Sequence, residues 1–287
     1  MGHANELQLS RLEHKYMISP EVAQAVRDFV ASYLEIDEYG ATRPNLSYPV
    51  HSLYLDSDDL RIYWSTINGD KNRYKLRLRF YENRPNAPVY FEIKRRMNNS
   101  IIKQRGAVRR EAVASVLGGQ LPAPGDLATT DPRHQLAIQR FVELMTDIRA
   151  RPKARVAYQR EAWVQPDDNS IRVTLDRDVY CAVSRGIDLR AEMDHPFCVF
   201  GSTVVLELKF TGRFPDWFGQ MVRVFNLHQC SAAKYADGVA LMGENLFSSH
   251  GALAPGAQHR RRRVARLQAL KENCGQVPMF SEALNHV

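Results

Sequence analysis

Apolar and polar residues alternate along several stretches of this chain with the two-residue period of a β-strand. Residues 73 to 81 read Arg-Tyr-Lys-Leu-Arg-Leu-Arg-Phe-Tyr, which puts Arg73, Lys75, Arg77 and Arg79 on one face and Tyr74, Leu76, Leu78 and Phe80 on the other. The pattern recurs. Glu92 and Lys94 alternate with Phe91 and Ile93, and Lys103 and Arg105 flank Gln104. Arg172, Thr174 and Asp176 alternate with Ile171, Val173 and Leu175; Glu207 and Lys209 alternate with Leu206, Leu208 and Phe210. Near the N-terminus Glu13 and Lys15 share a face opposite Leu12 and Tyr16.

Strands are predicted around 12–16 and over 50–56, 73–82, 89–96, 100–108, 153–165, 170–181 and 203–210, with Asn, Asp, Pro and Gly in the turns between them. Helical spacing of Val22, Val26, Phe29, Val30 and Tyr33 after Ser19-Pro20-Glu21 predicts a helix there. Further helices are expected after Ser57 or Asp58 through Trp64, over about 109–117 and 133–149, from Pro215-Asp216-Trp217, and from Ser231 to Leu246. The fold class is α+β, an eight-stranded antiparallel sheet large enough to close into a barrel, with helices around it.

With 287 residues, 44% of them hydrophobic, the chain can bury a sizeable core. Its formal charge of +7 favours anionic partners, although Arg260, Arg261, Arg262, Arg263 and Arg266 supply much of that excess. Those arginines follow a Gly-, Ala- and Pro-rich stretch, so a boundary is placed after Ser248: residues 1–248 form the domain and 249–287 a basic C-terminal tail. The tail reads as a solvated segment or exposed helix; the alternative is a docking patch for a membrane, nucleic acid or polyphosphate. Cys181, Cys198, Cys230 and Cys274 show no pairing rhythm and no Cys-x-x-Cys. No apolar run approaches the roughly 20 residues that span a bilayer, and no signal peptide pattern opens the chain. A soluble cytoplasmic protein is expected.

One strand with a charged face is ordinarily a solvated face. Here about six segments carry one, rich in Arg and Lys at i, i+2 spacing with isolated acids between. If helices cover the apolar face, the charges point inward, at a cost of several kcal/mol for each incompletely paired ion. An anion entering that interior would offset the cost. Arg forks match phosphate oxygens and Lys supplies point charges, so a linear chain of phosphates fits best. Glu13, Glu92 and Glu207 are candidate ligands for Mg²⁺ or Mn²⁺. A P-loop, His-Glu-x-x-His and Gly-x-Ser-x-Gly are all absent. The aromatics do not interleave with the cations as base-stacking platforms would, which disfavours nucleic acid.

At these residues the chain resembles a known family. Glu13-His-Lys15-Tyr16, Arg77-Leu-Arg79-Phe80-Tyr81, Phe91-Glu92-Ile-Lys94, Lys103-Gln-Arg105, Tyr158-Gln-Arg160, Arg172-Val-Thr-Leu-Asp176 and Leu206-Glu207-Leu-Lys209 are similar to the catalytic domain of the vacuolar transporter chaperone (VTC) complex. That domain is a polyphosphate polymerase of the triphosphate tunnel metalloenzyme superfamily, and the likeness spans about residues 10 to 245. It implies an eight-stranded tunnel in which the terminal phosphate of ATP passes to a growing polyphosphate chain with a divalent metal, Mn²⁺ or Mg²⁺. By the same likeness Arg77, Arg79, Lys94, Lys103, Arg160 and Arg172 would hold phosphates, and Tyr158 would hydrogen-bond one. Arg105, Lys15, Lys209 and Lys234 would complete the substrate lining, and Glu207, with Glu13 and Glu92, would hold the metal. Asp176 and Arg155 are further candidates, Arg155 falling on the opposite parity from Arg160 unless a bulge intervenes. Where the family carries Lys-x-Ser-Lys-aromatic, this chain has Ser231-Ala232-Ala233-Lys234-Tyr235, keeping only the second lysine and the aromatic residue.

The expected activity is a phosphotransferase acting on ATP and inorganic polyphosphate, with a separate membrane protein as a further partner. Two alternatives use the same lining: a triphosphatase that positions water, and a polyphosphate-binding module without catalysis.

Overall fold

The alternating stretches fold as strands whose apolar sides are roofed by helices. The structure, a computed structural model, describes residues 11–98, 100–167, 170–248 and 257–272; Cys274 and the stretch that follows the expected boundary at Ser248 lie outside them. Its strands are β1 (Arg11–Ile18), β2 (Glu35–Ile36), β3 (Ser47–Asp56), β4 (Asn72–Phe80), β5 (Val89–Met97), β6 (Ser100–Val108), β7 (Arg151–Val164), β8 (Ile171–Val183), β9 (Phe197–Cys198) and β10 (Val204–Thr211). Its helices are α1 (Pro20–Val30), α2 (Glu38–Ala41), α3 (Arg61–Ile67), α4 (Val113–Leu117), α5 (Pro132–Asp147), α6 (Asp216–Val224), α7 (Lys234–Met242) and α8 (Ala257–Glu272). No helix among the described residues is long and apolar enough to cross a membrane.

All strand pairings are antiparallel, in the order β2-β7-β3-β4-β5-β6-β1-β10-β8-β9. β7 also pairs with β8, so it is flanked by β3 on one side and β8 on the other. β6 meets β1 through a single residue pair, Ile101 with Arg11. The expected eight-stranded closed barrel is therefore corrected to a ten-stranded antiparallel sheet with one thin seam. The two additional strands, β2 and β9, are two residues long, too short to leave any alternation in the sequence.

Helix packing decides which face points where. Leu76, Leu78 and Phe80 of β4, with Leu53, Leu55, Phe91 and Ile93 of its neighbours, form one core with Ile62 and Tyr63 of α3, Val113 and Val116 of α4 and Ile138 and Phe141 of α5. On the far side Val173, Leu175, Leu206, Leu208 and Phe210 pack against Val26 and Val30 of α1 and Phe218 and Met221 of α6. Each fully buried aliphatic or aromatic side chain contributes roughly 1.5–3 kcal/mol, so this side of the sheet turns to the helices. Strand geometry then puts Arg77, Arg79, Lys94 and Glu207 on the opposite side.

Helix boundaries differ from the expected ones at one place that matters. The helix expected from Ser231 begins at Lys234. Cys230 N donates to Lys15 O at 2.8 Å, Lys15 Nζ donates to Ala232 O at 3.1 Å, and Tyr16 bridges to Gln229, so residues 229–232 are held against β1. Ala233 N then donates to the Asp237 carboxylate at 2.7 Å, which stops the first turn from starting earlier.

α5 crosses β6 where a side chain is missing. A Cβ at Gly106 would lie 2.3 Å from Ile138 Cγ1 and 2.6 Å from His134 O. We expect Gly106→Ala to destabilise the fold by about 1–3 kcal/mol through this overpacking. Urea unfolding checks it; an unchanged midpoint would mean that α5 does not press on β6.

Candidate functional site

Cross-strand register brings the inward charges together in two groups. In the first, Glu92 of β5 stands opposite Arg77 of β4 and opposite Arg105 of β6. Its carboxylate is completely buried and meets Arg77 Nη2 at 2.7 Å, Lys103 Nζ at 3.2 Å, Arg105 Nε at 3.5 Å and Arg79 Nε at 3.9 Å. Burial alone would raise the Glu92 carboxyl, but Arg77, Arg79, Lys103 and Arg105 outweigh it and hold it well below the usual carboxylate range. The arginines are also aimed by neutral groups. Arg77 Nη1 donates to Tyr54 Oη at 3.1 Å, and Arg79 Nη2 donates to Tyr158 Oη at 3.1 Å and Ser52 Oγ at 3.3 Å.

In the second group, three acids alternate with lysines. Lys15 Nζ lies 3.1 Å from Glu13 and 2.8 Å from Glu207; Lys94 Nζ reaches Glu13 at 2.8 Å. Glu207 also meets Lys209 Nζ at 2.6 Å, Lys234 Nζ at 3.5 Å and Arg160 Nη2 at 3.7 Å. Arg160 grips Asp176 with Nε and Nη2, both at 2.7 Å, and Lys234 touches the same carboxylate at 2.6 Å. Burial pushes Asp176 up, yet Arg160 and Lys234 bring it down to about 2. Arg172 sits beside this group, donating to Asp37 at 2.8 Å and facing Lys209 across the β8–β10 ladder.

The inward face thus gathers Lys15, Arg77, Arg79, Lys94, Lys103, Arg105, Tyr158, Arg160, Arg172, Lys209 and Lys234 with Glu13, Glu92 and Glu207. Asp176 belongs with them. Arg155 does not: it pairs with Leu53 on the outer parity, is buried there, and binds Asp188 at 2.9 Å and the carbonyl of Glu192 at 2.6 Å. A register shift does occur between Ala157 and Gln159 on the β8 side, but from Ala154 to Glu161 β7 keeps its alternation against β3, whose own shift lies between Tyr54 and Leu55, so Arg155 stays outside. Lys75 faces inward without an acid. Burial, with Lys15, Lys94 and Arg263 nearby, holds its ammonium well below the usual lysine range.

Tyr48, Ser52, Tyr54 and Asp37 are functional neighbours that alternation alone does not single out. Tyr48, Ser52 and Tyr54 occupy alternate positions of β3, a period-two signal diluted by the apolar Val50 between them. Asp37 caps the four-residue helix α2, and nothing in the sequence pattern ties it to Arg172.

A divalent cation finds hard oxygen donors here, though not all three expected ones together. Glu13 and Glu207 converge on the single Lys15 ammonium, while Glu92 is enclosed by its own four cations. Among the described residues no three Asp, Glu, His or Cys side chains come close enough to hold an ion on their own. Glu13 and Glu207 fit an ion that keeps several bonds to substrate oxygens, as Mg²⁺ and Mn²⁺ do. Two surface cavities, of about 400 Å³ beside Arg151 and Lys153 and about 490 Å³ beside Leu121 and Val142, lie away from this lining. The long side chains of the lining fold onto its acids.

These features define an antiparallel sheet protein with an inward, cation-rich face. The chain belongs to the VTC domain family, whose profile matches residues 10–243. It is 23% identical over 192 residues to vacuolar transporter chaperone complex subunit 2 of Schizosaccharomyces pombe, covering 61% of this chain and 26% of that protein. It is 22% identical over 270 residues to subunit 4 of the same complex and organism, covering 79% and 37%. The chain therefore spans about a quarter to two fifths of the length of these relatives. Among solved structures, the PH1819 protein of Pyrococcus horikoshii superposes with a TM-score of 0.40 at 12% identity, over 79% of this chain and 96% of that one.

The electrostatics give a pH test. Lys103 and Lys209 are each lowered to about 8, chiefly by burial, with Glu92 and Glu207 respectively acting the other way. A bound polyanion favours the charged lysines and so raises both values. Binding must then take up protons above about pH 8, and affinity must fall as the pH rises from there towards the ordinary lysine range. Calorimetric titration of tripolyphosphate in buffers of different ionisation enthalpy should show net proton uptake near pH 9 and almost none near pH 6.5, these two conditions being about one unit or more on either side of the titration. Affinity that stays constant across this range would contradict it.

Proposed function

We propose that this domain is a polyphosphate polymerase, transferring the terminal phosphate of ATP to the end of an inorganic polyphosphate chain. The observation that carries the proposal is convergence. Basic side chains from β1, β4, β5, β6, β7, β8 and β10, with Lys234 from α7, meet on one inward face where buried acids neutralise only part of their charge. Membership of the VTC domain family supports it independently. Subunits of one complex are the relatives, so we also propose that the domain works with partner proteins, one of them in a membrane.

The chemistry asks the protein for position and charge rather than for a nucleophile. A terminal oxygen of the acceptor chain attacks the γ-phosphorus, the bond from that phosphorus to the bridging oxygen breaks, and ADP leaves with the electron pair. Arg77, Arg79 and Arg160 offer planar forks to the equatorial oxygens, with Tyr158 donating beside them. Lys15, Lys94, Lys103, Arg105, Arg172, Lys209 and Lys234 would carry the remaining phosphate charge. Glu13 and Glu207 would hold the divalent ion, which supplies charge neutralisation to phosphate oxygens when bound.

The test is incubation of the purified protein with ATP and Mn²⁺ or Mg²⁺, followed by product analysis. Long phosphate polymers are expected. Release of orthophosphate alone would replace this proposal with a triphosphatase, and binding without turnover under either metal would replace it with a binding module. Glu207→Gln separates the roles further. It removes the charge that occupies Lys15, Lys209 and Lys234, so polyphosphate should bind at least as tightly as to the wild type while turnover falls by about 100-fold or more, the scale of a lost electrostatic interaction in a transition state.

A further inference from the structure

One end of the inward face is aromatic as well as cationic. β3 begins there with Ser47 and Tyr48, β4 ends at Phe80 and is followed by Tyr81, and β5 enters with Tyr90 directly opposite Arg79. Tyr48 stands opposite Arg160, on the inward side. Ring contacts join these residues in a row: Tyr48 to Tyr81 with centroids 6.3 Å apart, Tyr81 to Tyr90 at 6.1 Å, and Tyr48 to Tyr39 of α2 at 5.9 Å. The Arg105 guanidinium carbon lies 3.4 Å from the centre of the Tyr90 ring.

α2 is short, yet it is tied to the lining. Asp37, its N-cap, accepts hydrogen bonds from Gly40 N at 2.9 Å, Tyr48 Oη at 3.0 Å and Arg172 Nη2 at 2.8 Å. A Cβ on Gly40 would come within 2.7 Å of Leu46 O, so this turn lies tight against the residue that precedes β3. Tyr39 is thereby held at the rim with 63% of its surface exposed, whereas Tyr48 beside it is buried. Tyr81 and Tyr90 are half-buried.

Such rings add nothing to the grip on an inorganic phosphate chain, because the face of an aromatic ring is negative and repels phosphate oxygens. A flat heterocycle is different. Stacking of a base on an aromatic side chain is worth about 1–3 kcal/mol. The ligand that combines a phosphate chain with a flat ring is a nucleotide, and a single rim of rings suits one base and not a strand of them.

Resting on the proposal that ATP is the phosphate donor, we infer that Tyr39, Tyr81 and Tyr90 form the subsite for the base of the nucleotide. Arg79 stands opposite Tyr90, Arg105 covers its ring, and Arg172 Nη2 lies 3.4 Å from Tyr48 Oη. Phosphates attached to a base on the tyrosines therefore meet arginines at once. The subsite distinguishes a nucleotide from a bare phosphate chain, a distinction that the cations alone do not make.

The experiment measures binding of the β,γ-imido analogue of ATP and of tripolyphosphate, both with Mg²⁺, to the full chain as wild type, Tyr39→Ala and Tyr81→Leu. Each variant should bind the ATP analogue about tenfold more weakly, the scale of one lost base–ring contact. Tripolyphosphate, which has no base, should stay within about twofold of wild type. Tyr39→Trp, which keeps a ring at the exposed rim, should bind the analogue as tightly as wild type or more so. A loss confined to the nucleotide in one variant alone would assign the base to that ring. Equal weakening for both ligands, or analogue affinity unchanged in both variants, would overturn the inference. Wild type binding neither ligand would refute the phosphate-transfer reading of the lining, and the base subsite with it.

Discussion

Buried carboxylates hold this domain together at the place where it should fall apart. Glu13, Glu92, Asp176 and Glu207 stand among inward-facing lysines and arginines, and each carboxylate meets at least two cations within 4 Å. Without them, the directly opposed pairs Lys75 with Lys94 and Lys94 with Lys103 would repel across a partly desolvated space. The helices permit no other arrangement. Exposing Leu76, Leu78, Phe80, Leu206 and Leu208 to release the cations into water would forfeit burial on both cores, roughly 1.5–3 kcal/mol for each side chain.

A carboxylate outside the lining positions the arginines as well. Asp56, at the end of β3, accepts hydrogen bonds from Ser57 N, Ile62 N and Tyr63 N at 2.8–2.9 Å and from Tyr235 Oη at 2.8 Å. One side chain thus ties β3, the start of α3 and α7 together. Tyr235 stacks on Tyr54 with ring centroids 4.9 Å apart, and Tyr54 Oη receives Arg77. Lys234, the neighbour of Tyr235, is thereby fixed over Asp176 and Glu207. α7 reaches its place because Gly238 lets it lie on β8: a Cβ there would come within 2.6 Å of Cys181 Sγ.

Much of this was legible in the chain. Alternation marks one side of most of the long strands, and strand geometry converts that directly into an inward set. The inward placement of Arg77, Glu92, Lys94, Arg160 and Glu207 was readable for that reason, whereas Arg155, a candidate whose parity required a bulge, lies on the outer side. What escaped has physical causes. β2 and β9 are too short to carry a period, and Asp37 reaches Arg172 through a tertiary interaction over 135 residues with no local signature. The division of the acids into Glu92 on one side and Glu13 with Glu207 on the other depends on which strands are neighbours, and the sequence pattern leaves strand order open. The arginines of α8 read as a charge run because their partners, Glu244 and Asp237, lie on an earlier helix and the turn after it.

Neutralisation from within also shapes how an anion can bind. Lys15, Lys209 and Lys234 are engaged by Glu207, and Arg77 by Glu92. Apart from Lys75, the cations an entering phosphate meets are engaged already, and it competes with carboxylates that stay in place. Every new bond to a phosphate oxygen weakens an existing ion pair, so the net affinity per phosphate is smaller than the number of cations implies. For the polymer-lengthening activity proposed above, that is an advantage. A chain held by many full-strength ion pairs would stay where it was made, whereas a chain sharing its cations with fixed acids can shift along the lining one phosphate at a time.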